Sequence, residues 1–460
     1  MKHADVLIIG GGPAGRVIVH ALHQKADPAS PLAIALVKNE SVNVNRCAVP
    51  YGIPDDKPLR KFDIPNDLVT DFGAELIVDD VVRIDPDVRT AALKSGEIIA
   101  WDKLVIAAGS SPAIPPIPGA DAPNVTPVRS RDDLARLREW SVGRTGKAAV
   151  IGGGYIGVEV AVVLRRLGLD VTIVEMLPHV LEASTEPEFL PAIEDDLRSL
   201  GVDLATGRTV QRFAMDESSG HATAIELDAG DPFPVDFIVL ATGVRPNTRL
   251  AADAGLETSP LGIVVDDHLR AGHPDIYATG DCAQKRSFIT GQPIRGEFGT
   301  NAVFMSKVVA DNILGRNRAF PGVINASATA TDKLSLGSAG LTERQARAAE
   351  IDIVVGRSEV LDRYPMMDGR GVIRTKLVFE REAGRLIGGS VLRPGHAVAA
   401  NVDLLSFAIQ KQATIDDFLE LQYATHPELA AKPSDNTLLF AAREARKAAG
   451  QHRTEATAMT

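Results

Sequence analysis

With 460 residues, 45% of them hydrophobic and 24% charged, the chain is too long for one ordinary core and has the composition of a globular protein of two or three domains. Its formal net charge of −11 argues against nucleic acid or an anionic membrane as partner, since both favour a basic face. Its apolar runs fall short of the roughly 18–20 residues that span a bilayer.

The chain opens on DVLIIGGGPAG (5–15), an apolar run leading into closely spaced glycines, and continues as the helical stretch RVIVHALHQK. Strand, tight turn and helix in that order begin a βαβ unit. The apolar start therefore reads as a buried strand and not as a signal peptide, for which no cleavage site follows. PLAIALVKNE (31–40) supplies the next strand. WDKLVIAAGSSPAIPPIPG (101–119) ends another at Ala108-Gly109 and becomes proline-rich, as crossovers between domains often do. AAVIGGGYIGVE (148–159), VAVVLRRLG and DVTIVE (170–175) repeat the opening plan, and FIVLATGVRPN (237–247) repeats its closing strand. IYATGDCA (276–283) is a third strand ending in a turn of small residues. From about residue 325 the texture changes to one helix and several β-branched strands, then helices through 397–420, without a nucleotide motif.

The expected fold class is α/β, with two Rossmann-like dinucleotide-binding domains and a C-terminal α+β domain. The first domain is discontinuous, 1–118 with 245–325; the second is 119–244, the third 326–446, and 447–460 is expected to be a frayed tail.

In the first loop, Gly10-Gly11-Gly12-Pro13-Ala14-Gly15, glycine permits the tight turn, a close backbone approach to a pyrophosphate and close packing of helix on strand. The helix start adds N–H donors and a positive dipole end. The second loop, Gly152-Gly153-Gly154-Tyr155-Ile156-Gly157, has the same context. Its second strand ends in Glu175, 18 residues after Gly157, where a carboxylate meets adenosine ribose hydroxyls. An acid there repels a 2′-phosphate, and Met-Leu-Pro-His after it offers no arginine, so NADH is favoured over NADPH. In the first unit Lys38 stands near the place of that acid and Glu40 follows two residues later. Whether Glu40 is shifted by a loop or the adenosine is held by backbone stays open.

GGGPAG, KLVIAAGS, GGGYIGVE, ATGVRPN and IYATGDCA, in this order, resemble the pyridine nucleotide–disulfide oxidoreductases over about residues 4–445. The resemblance implies FAD in the first site, NAD(P)H in the second and a C-terminal domain that forms a homodimer. It places FAD against Gly10, Gly12, Pro13, Ala14 and Gly15, with Lys38, Arg46, Val81, Ala108, Gly109 and Gly280 as further cofactor-binding positions. Asp281 would bind the ribityl and pyrophosphate region. For the nicotinamide coenzyme it implies Gly152, Gly154, Ile156, Gly157, Glu175 and Gly243, with Tyr155 a gate over the flavin face and Glu159 near the nicotinamide amide. Ala108 departs from the threonine usual in the first of the two similar strand ends; Thr242 keeps it in the second.

The two cysteines, Cys47 and Cys282, are too distant in sequence for a redox pair or a metal knuckle, exclude a disulfide framework and suggest a reducing cytoplasm. No metal is expected. Two-cysteine members of the family carry CxxxxC; here NVNRCAVPYGIP (43–54) has Cys47 alone and is similar to the single-cysteine branch of coenzyme A-disulfide reductases, NADH-dependent persulfide reductases and NADH oxidases or peroxidases. One cysteine suffices if it is itself reduced from a mixed disulfide, persulfide or sulfenic acid, and the freed thiolate attacks the next disulfide. Arg46 and a helix start near Pro50 are expected to depress its pKa. Cys282, beside Asp281, is expected to pack beneath the cofactor. LQYATHPELAAKPSDN (421–436) mixes two subgroup patterns, leaving Tyr423 and His426 as candidate acids for a leaving thiolate.

The function expected is NADH-dependent, FAD-containing reduction of a low-molecular-weight disulfide or persulfide, such as that of coenzyme A. The alternatives are an NADH oxidase or peroxidase cycling Cys47 through sulfenic acid, and an electron-transfer or redox-sensing flavoprotein serving a protein partner, which a buried, unreactive Cys47 would favour.

Overall fold

The computed structural model describes residues 2–458, with side chains through Gly450. The chain divides into two compact units: 1–114, 127–142 and 243–323 in the first, and 115–126, 143–242 and 324–460 in the second.

The first unit is built on a seven-stranded sheet. Strand Lys2–Ile9 lies at its centre, parallel to Ile34–Lys38 on one side and to Ile98–Ile106 on the other. Ile34–Lys38 is paired in turn with Glu75–Val78, while Thr90–Leu93 and Val81–Asp85 extend the other side as an antiparallel ribbon. Ile276–Ala278 joins Ile98–Ile106 in parallel. The central strands are apolar and buried over 6–9, 34–37 and 104–106, where both faces are covered as parallel strands require. Helices Pro13–Lys25 and Gly299–Ile313 pack together on this sheet. Residues 127–142, which chain order assigned to the second nucleotide domain, fold instead with the first unit. They carry helix Arg131–Ser141, begun by a capping box in which Ser130 and Asp133 exchange side-chain and backbone bonds.

The second unit repeats the strand–turn–helix–strand plan. Its five-stranded sheet has the order Val125–Pro127, Phe237–Leu240, Lys147–Ile151, Asp170–Glu175, Val202–Thr206, with the middle three strands parallel. A small antiparallel sheet, Val210–Met215, Ala222–Leu227 and Phe233–Pro234, completes this half. The other half is an antiparallel five-stranded sheet in the order Ser327–Ala330, Leu334–Gly340, Leu386–Pro394, Val372–Glu380, Ile353–Leu361. Helix Thr437–Ala458 packs on its far strands and covers most of the stretch expected to be a frayed tail; the final two residues lie outside the described residues. Among the described residues no helix is long and apolar enough to cross a membrane.

Candidate functional site

The two glycine loops share one steric requirement. A Cβ at Gly15 would stand 2.0 Å from the Gly10 carbonyl oxygen, and one at Gly157 would stand 1.9 Å from that of Gly152. Each helix therefore begins hard against its loop, which only glycine permits. Small residues continue the packing in the first unit, where Ala14, Ala107 and Ala302 form a buried cluster and Gly280 approaches Ala14.

This packing leaves the helix starts open. Helix Pro13–Lys25 has Gly12 as N-cap, no side-chain cap and no acid in its first turn, and a Cβ at Gly12 would meet nothing within 4 Å. Uncapped N–H groups, a positive dipole end and free space suit a pyrophosphate. Asp281 stands in the turn Gly280–Cys282 and accepts a hydrogen bond from the Ser110 hydroxyl at 2.7 Å. Ala108 and Gly109 are fixed from behind by Asn247, whose side chain donates to the Ala108 carbonyl and whose backbone donates to that of Gly109.

Arg129, which no sequence motif marked, belongs to the same group. Its guanidinium lies 4.0 Å from Asp281, and its Nη2 is buried without a hydrogen-bond partner among the described residues. Burial and the neighbouring Arg46 draw its pKa down to about 10, against the pull of Asp281. Both guanidinium groups converge on Gly109, whose added Cβ would lie 3.7 Å from Arg46 and 3.8 Å from Arg129. An orphaned, buried cationic donor beside Asp281 and Gly109 suits the phosphates of a bound dinucleotide.

The strand-end position left open in the sequence takes an unexpected form. Lys38 is buried, and its ammonium donates to Asn66 Oδ1 at 2.6 Å, Asn43 Oδ1 at 3.1 Å and the Ser41 carbonyl at 3.2 Å. Burial, and after it the charge of Arg16, lowers its pKa. Arg16 is buried as well, bonded to the Gly11 and Pro65 carbonyls and to Asn43. The Lys38 stem packs under Gly11, so this residue braces the loop and its charge is already satisfied. Glu40 accepts from Asn43 and Arg46 and is the carboxylate available near the strand end. Val81 follows Asp79, whose N–H donates to the Lys38 carbonyl, which brings that segment beside the same strand end.

Cys47 is exposed, in the turn Arg46–Ala48 that runs into the short helix Val49–Gly52, so the helix start near Pro50 is present. Arg46, the cation expected to depress the thiol's pKa, is engaged by Glu40 at 3.2 Å. Cys282 is fully buried in the core, its thiol directed at the Ile106 and Thr279 carbonyls and its pKa raised by burial.

In the second unit helix Tyr155–Arg166 also starts without a side-chain cap or an acid in its first turn. Glu175 ends its strand as expected, its Oε2 accepting from the Gly153 N–H at 2.6 Å and its Oε1 from the Leu177 N–H at 2.8 Å. The carboxylate thus ties the strand end to the glycine loop. Ile156 is exposed beside Gly154, and Tyr155 and Glu159 lie half-buried on one helix face. Gly243 falls in the first unit, where its carbonyl accepts from the Ala113 N–H. Tyr423 and His426 are exposed in the loop before the last helix. The Tyr423 hydroxyl donates to the Pro433 carbonyl, and Tyr364 brackets His426 through Thr425 and the Pro427 carbonyl.

A family model described as pyridine nucleotide-disulphide oxidoreductase matches residues 4–302, and the dimerisation domain of that family matches 327–436. An NADH oxidase of Methanocaldococcus jannaschii is 31% identical over 436 residues, 92% of this chain and 95% of that protein. A CoA-dependent NAD(P)H sulfur oxidoreductase of Pyrococcus abyssi is 28% identical over 427 residues, 91% of this chain and 94% of that protein. The solved structure of an NAD-dependent persulfide reductase from A. fulgidus superposes with a TM-score of 0.87 at 30% identity, covering 96% of this chain and 83% of that one.

Proposed function

Because the chain belongs to the pyridine nucleotide-disulphide oxidoreductase family, we propose that it is an NADH-dependent, FAD-containing reductase of a low-molecular-weight disulfide or persulfide, of the coenzyme A type, acting through Cys47. The observation that carries this reading is the contrast between its two thiols: Cys47 is exposed at a turn, and Cys282 is sealed in the core.

FAD, when bound, supplies the two-electron carrier between NADH and the thiol. Gly12, the start of helix Pro13–Lys25, Asp281 and Arg129 would hold it; Glu175 would hold the adenosine ribose of NADH, Tyr155 would serve as the gate over the flavin face, and Glu159 would lie near the nicotinamide amide. The Cys47 thiolate attacks one sulfur of the substrate disulfide, forming a mixed disulfide and releasing one thiolate, which takes a proton from His426 or Tyr423. Two electrons from NADH then break that mixed disulfide and restore the Cys47 thiolate. The sum is NADH, a proton and one disulfide converted to NAD+ and two thiols. The matched dimerisation domain supports a homodimer, and a chain with two cysteines remote from each other in sequence suits a reducing cytoplasm. Cys47→Ser is expected to abolish NADH-dependent reduction of coenzyme A disulfide while FAD stays bound; full retained reduction would overturn the proposal.

A second reading, an NADH oxidase or peroxidase, is favoured by the 31% identity to a relative of that name. An exposed thiol is open to peroxide, which would carry it to sulfenic acid. NADH consumption without a disulfide present, matched by uptake of half a mole of oxygen per mole of NADH or by loss of an equal amount of added peroxide, selects this second reading. A flavoprotein serving only a protein partner was favoured by a buried Cys47, and Cys47 is exposed.

A further inference from the structure

Helix Tyr155–Arg166 meets the C-terminal sheet along a single stripe. Residues 155, 159 and 166 fall on one helix face, and residues 327 and 329 on one face of a strand, because helices repeat every 3.6 residues and strands every 2. The two periods are brought into register. The Tyr155 hydroxyl lies 3.0 Å from the Ser327 hydroxyl, the Thr329 hydroxyl donates to Glu159 Oε1 at 2.9 Å, and Arg166 pairs with Asp332 at 2.8 Å. Strand Ser327–Ala330 is itself bonded in register to Leu334–Gly340, so it is a fixed support and not a loose segment. Thr329 is buried, which shields its bond to the carboxylate from water.

We infer that Ser327 and Thr329 are positioning residues for the nicotinamide, Thr329 by fixing the Glu159 carboxylate and Ser327 by holding the Tyr155 ring. The inference rests on the proposed roles of Glu159 near the nicotinamide amide and of Tyr155 as the gate the nicotinamide passes. Neither hydroxyl need touch the coenzyme; Thr329 holds the carboxylate that meets it and Ser327 holds the gate beside it, and hydride transfer tolerates little misplacement of its partners. The C-terminal domain thereby takes part in coenzyme binding from within its own chain.

The test is calorimetric titration of the oxidised holoenzyme with NAD+, which cannot reduce the flavin. Thr329→Val keeps shape and β-branching but loses the donor, and is expected to weaken NAD+ binding about 3–10-fold, the loss of one hydrogen bond to a charged group whose partner can find water. Thr329→Ser restores the donor and is expected to return the affinity to within about twofold of the parent. Glu159→Gln is expected to weaken binding, and adding Thr329→Val to it to weaken it no further, since coupled partners are not additive. Ser327→Ala and Tyr155→Phe remove the same bond and are expected to shift affinity in the same direction by about the same factor, without adding. If Thr329→Val does not fold with FAD, Thr329→Ala is read in its place, and the Ser327 pair is read independently. Parent affinity in Thr329→Val with weakened binding in Glu159→Gln overturns the support role and leaves Glu159 at the nicotinamide. Unchanged binding in Glu159→Gln removes Glu159 from the nicotinamide, and the support role falls with it.

Discussion

Lys38 is a buried cation of the first unit and Arg129 a half-buried one with a buried Nη2, and they differ in whether their donors are answered. The Lys38 ammonium has three oxygen partners, whereas one terminal nitrogen of Arg129 has none and stands 4.0 Å from Asp281. A buried charged donor without a partner is costly, so a ligand that completes it gains affinity. With its pKa near 10, Arg129 is still a cation at neutral pH. Arg129→Gln is expected to fold, to bind FAD at least about tenfold more weakly, and to lose flavin absorbance on dilution and gel filtration; undiminished FAD content would remove Arg129 from the cofactor site. Its one local cue in the sequence is Ser130-Arg131-Asp132-Asp133, a capping box that dates the helix start but says nothing of what lies opposite. Lys38 could not be placed from sequence because nothing local marks Asn43, in the two-residue strand Asn43–Val44, or the distant Asn66 as its partners until the chain brings them under the glycine turn.

At the scale of the element, the βαβ units were legible because their determinants are local. Periodicity marks the strands and helices, and glycine spacing marks the turn between them. The structure separates two glycine roles that the spacing alone does not. Gly15→Ala puts a methyl group 2.0 Å from a backbone carbonyl, so helix and strand must part; loss of cooperative thermal unfolding of the first unit is expected. Gly12→Ala adds a methyl group in open space at an uncapped helix start. It is expected to leave the melting temperature of the FAD-free protein unchanged while lowering FAD affinity, because the methyl group occupies the approach to the phosphates. Equal thermal losses in both variants would refute the distinction.

For the molecule as a whole, the second unit is secured by a charge cluster drawn from distant segments. Lys376, 3% exposed, pairs with Glu186 at 2.8 Å, Glu188 at 2.8 Å and Glu343 at 2.9 Å, and Arg357 pairs with Glu188 and Glu343. Burial works against ionisation of Glu343, but its bonds to Lys376 and Arg347 and the nearby cations prevail and hold its pKa at about 2; burial likewise opposes ionisation of Glu188, and its bonds to Lys376 and Arg357 outweigh it and lower that pKa. A carboxylate whose folded pKa is depressed contributes stability that is full above its unfolded value of about 4.3 and is lost as pH falls through the folded value. Burial lowers the Lys376 pKa, yet its three carboxylates raise it overall, so its contribution is intact at neutral pH and declines only in strong alkali. Denaturant melts of the parent are therefore expected to lose stability between about pH 4.3 and 2. Lys376→Met leaves three crowded carboxylates, is expected to cost about 3 kcal/mol or more at pH 7, and should lessen the acid loss. A parent-like acid limb in that variant would show the cluster to be inert.

By itself the sequence determined the two nucleotide units, their glycine loops, Glu175 and the solitary Cys47. Each depends on a window of a few residues, in which backbone sterics and side-chain periodicity admit one arrangement. Tertiary structure decided the rest: the return of residues 127–142 to the first unit, Arg129 beside Asp281, Lys38 braced under its loop, Lys376 among its glutamates, and Ser327 and Thr329 on Tyr155 and Glu159. Those partners lie from tens of residues to well over a hundred apart in the chain. Hydrogen bonds and ion pairs act over a few ångströms of space, and spacing along the chain does not encode which distant segments will come within that reach.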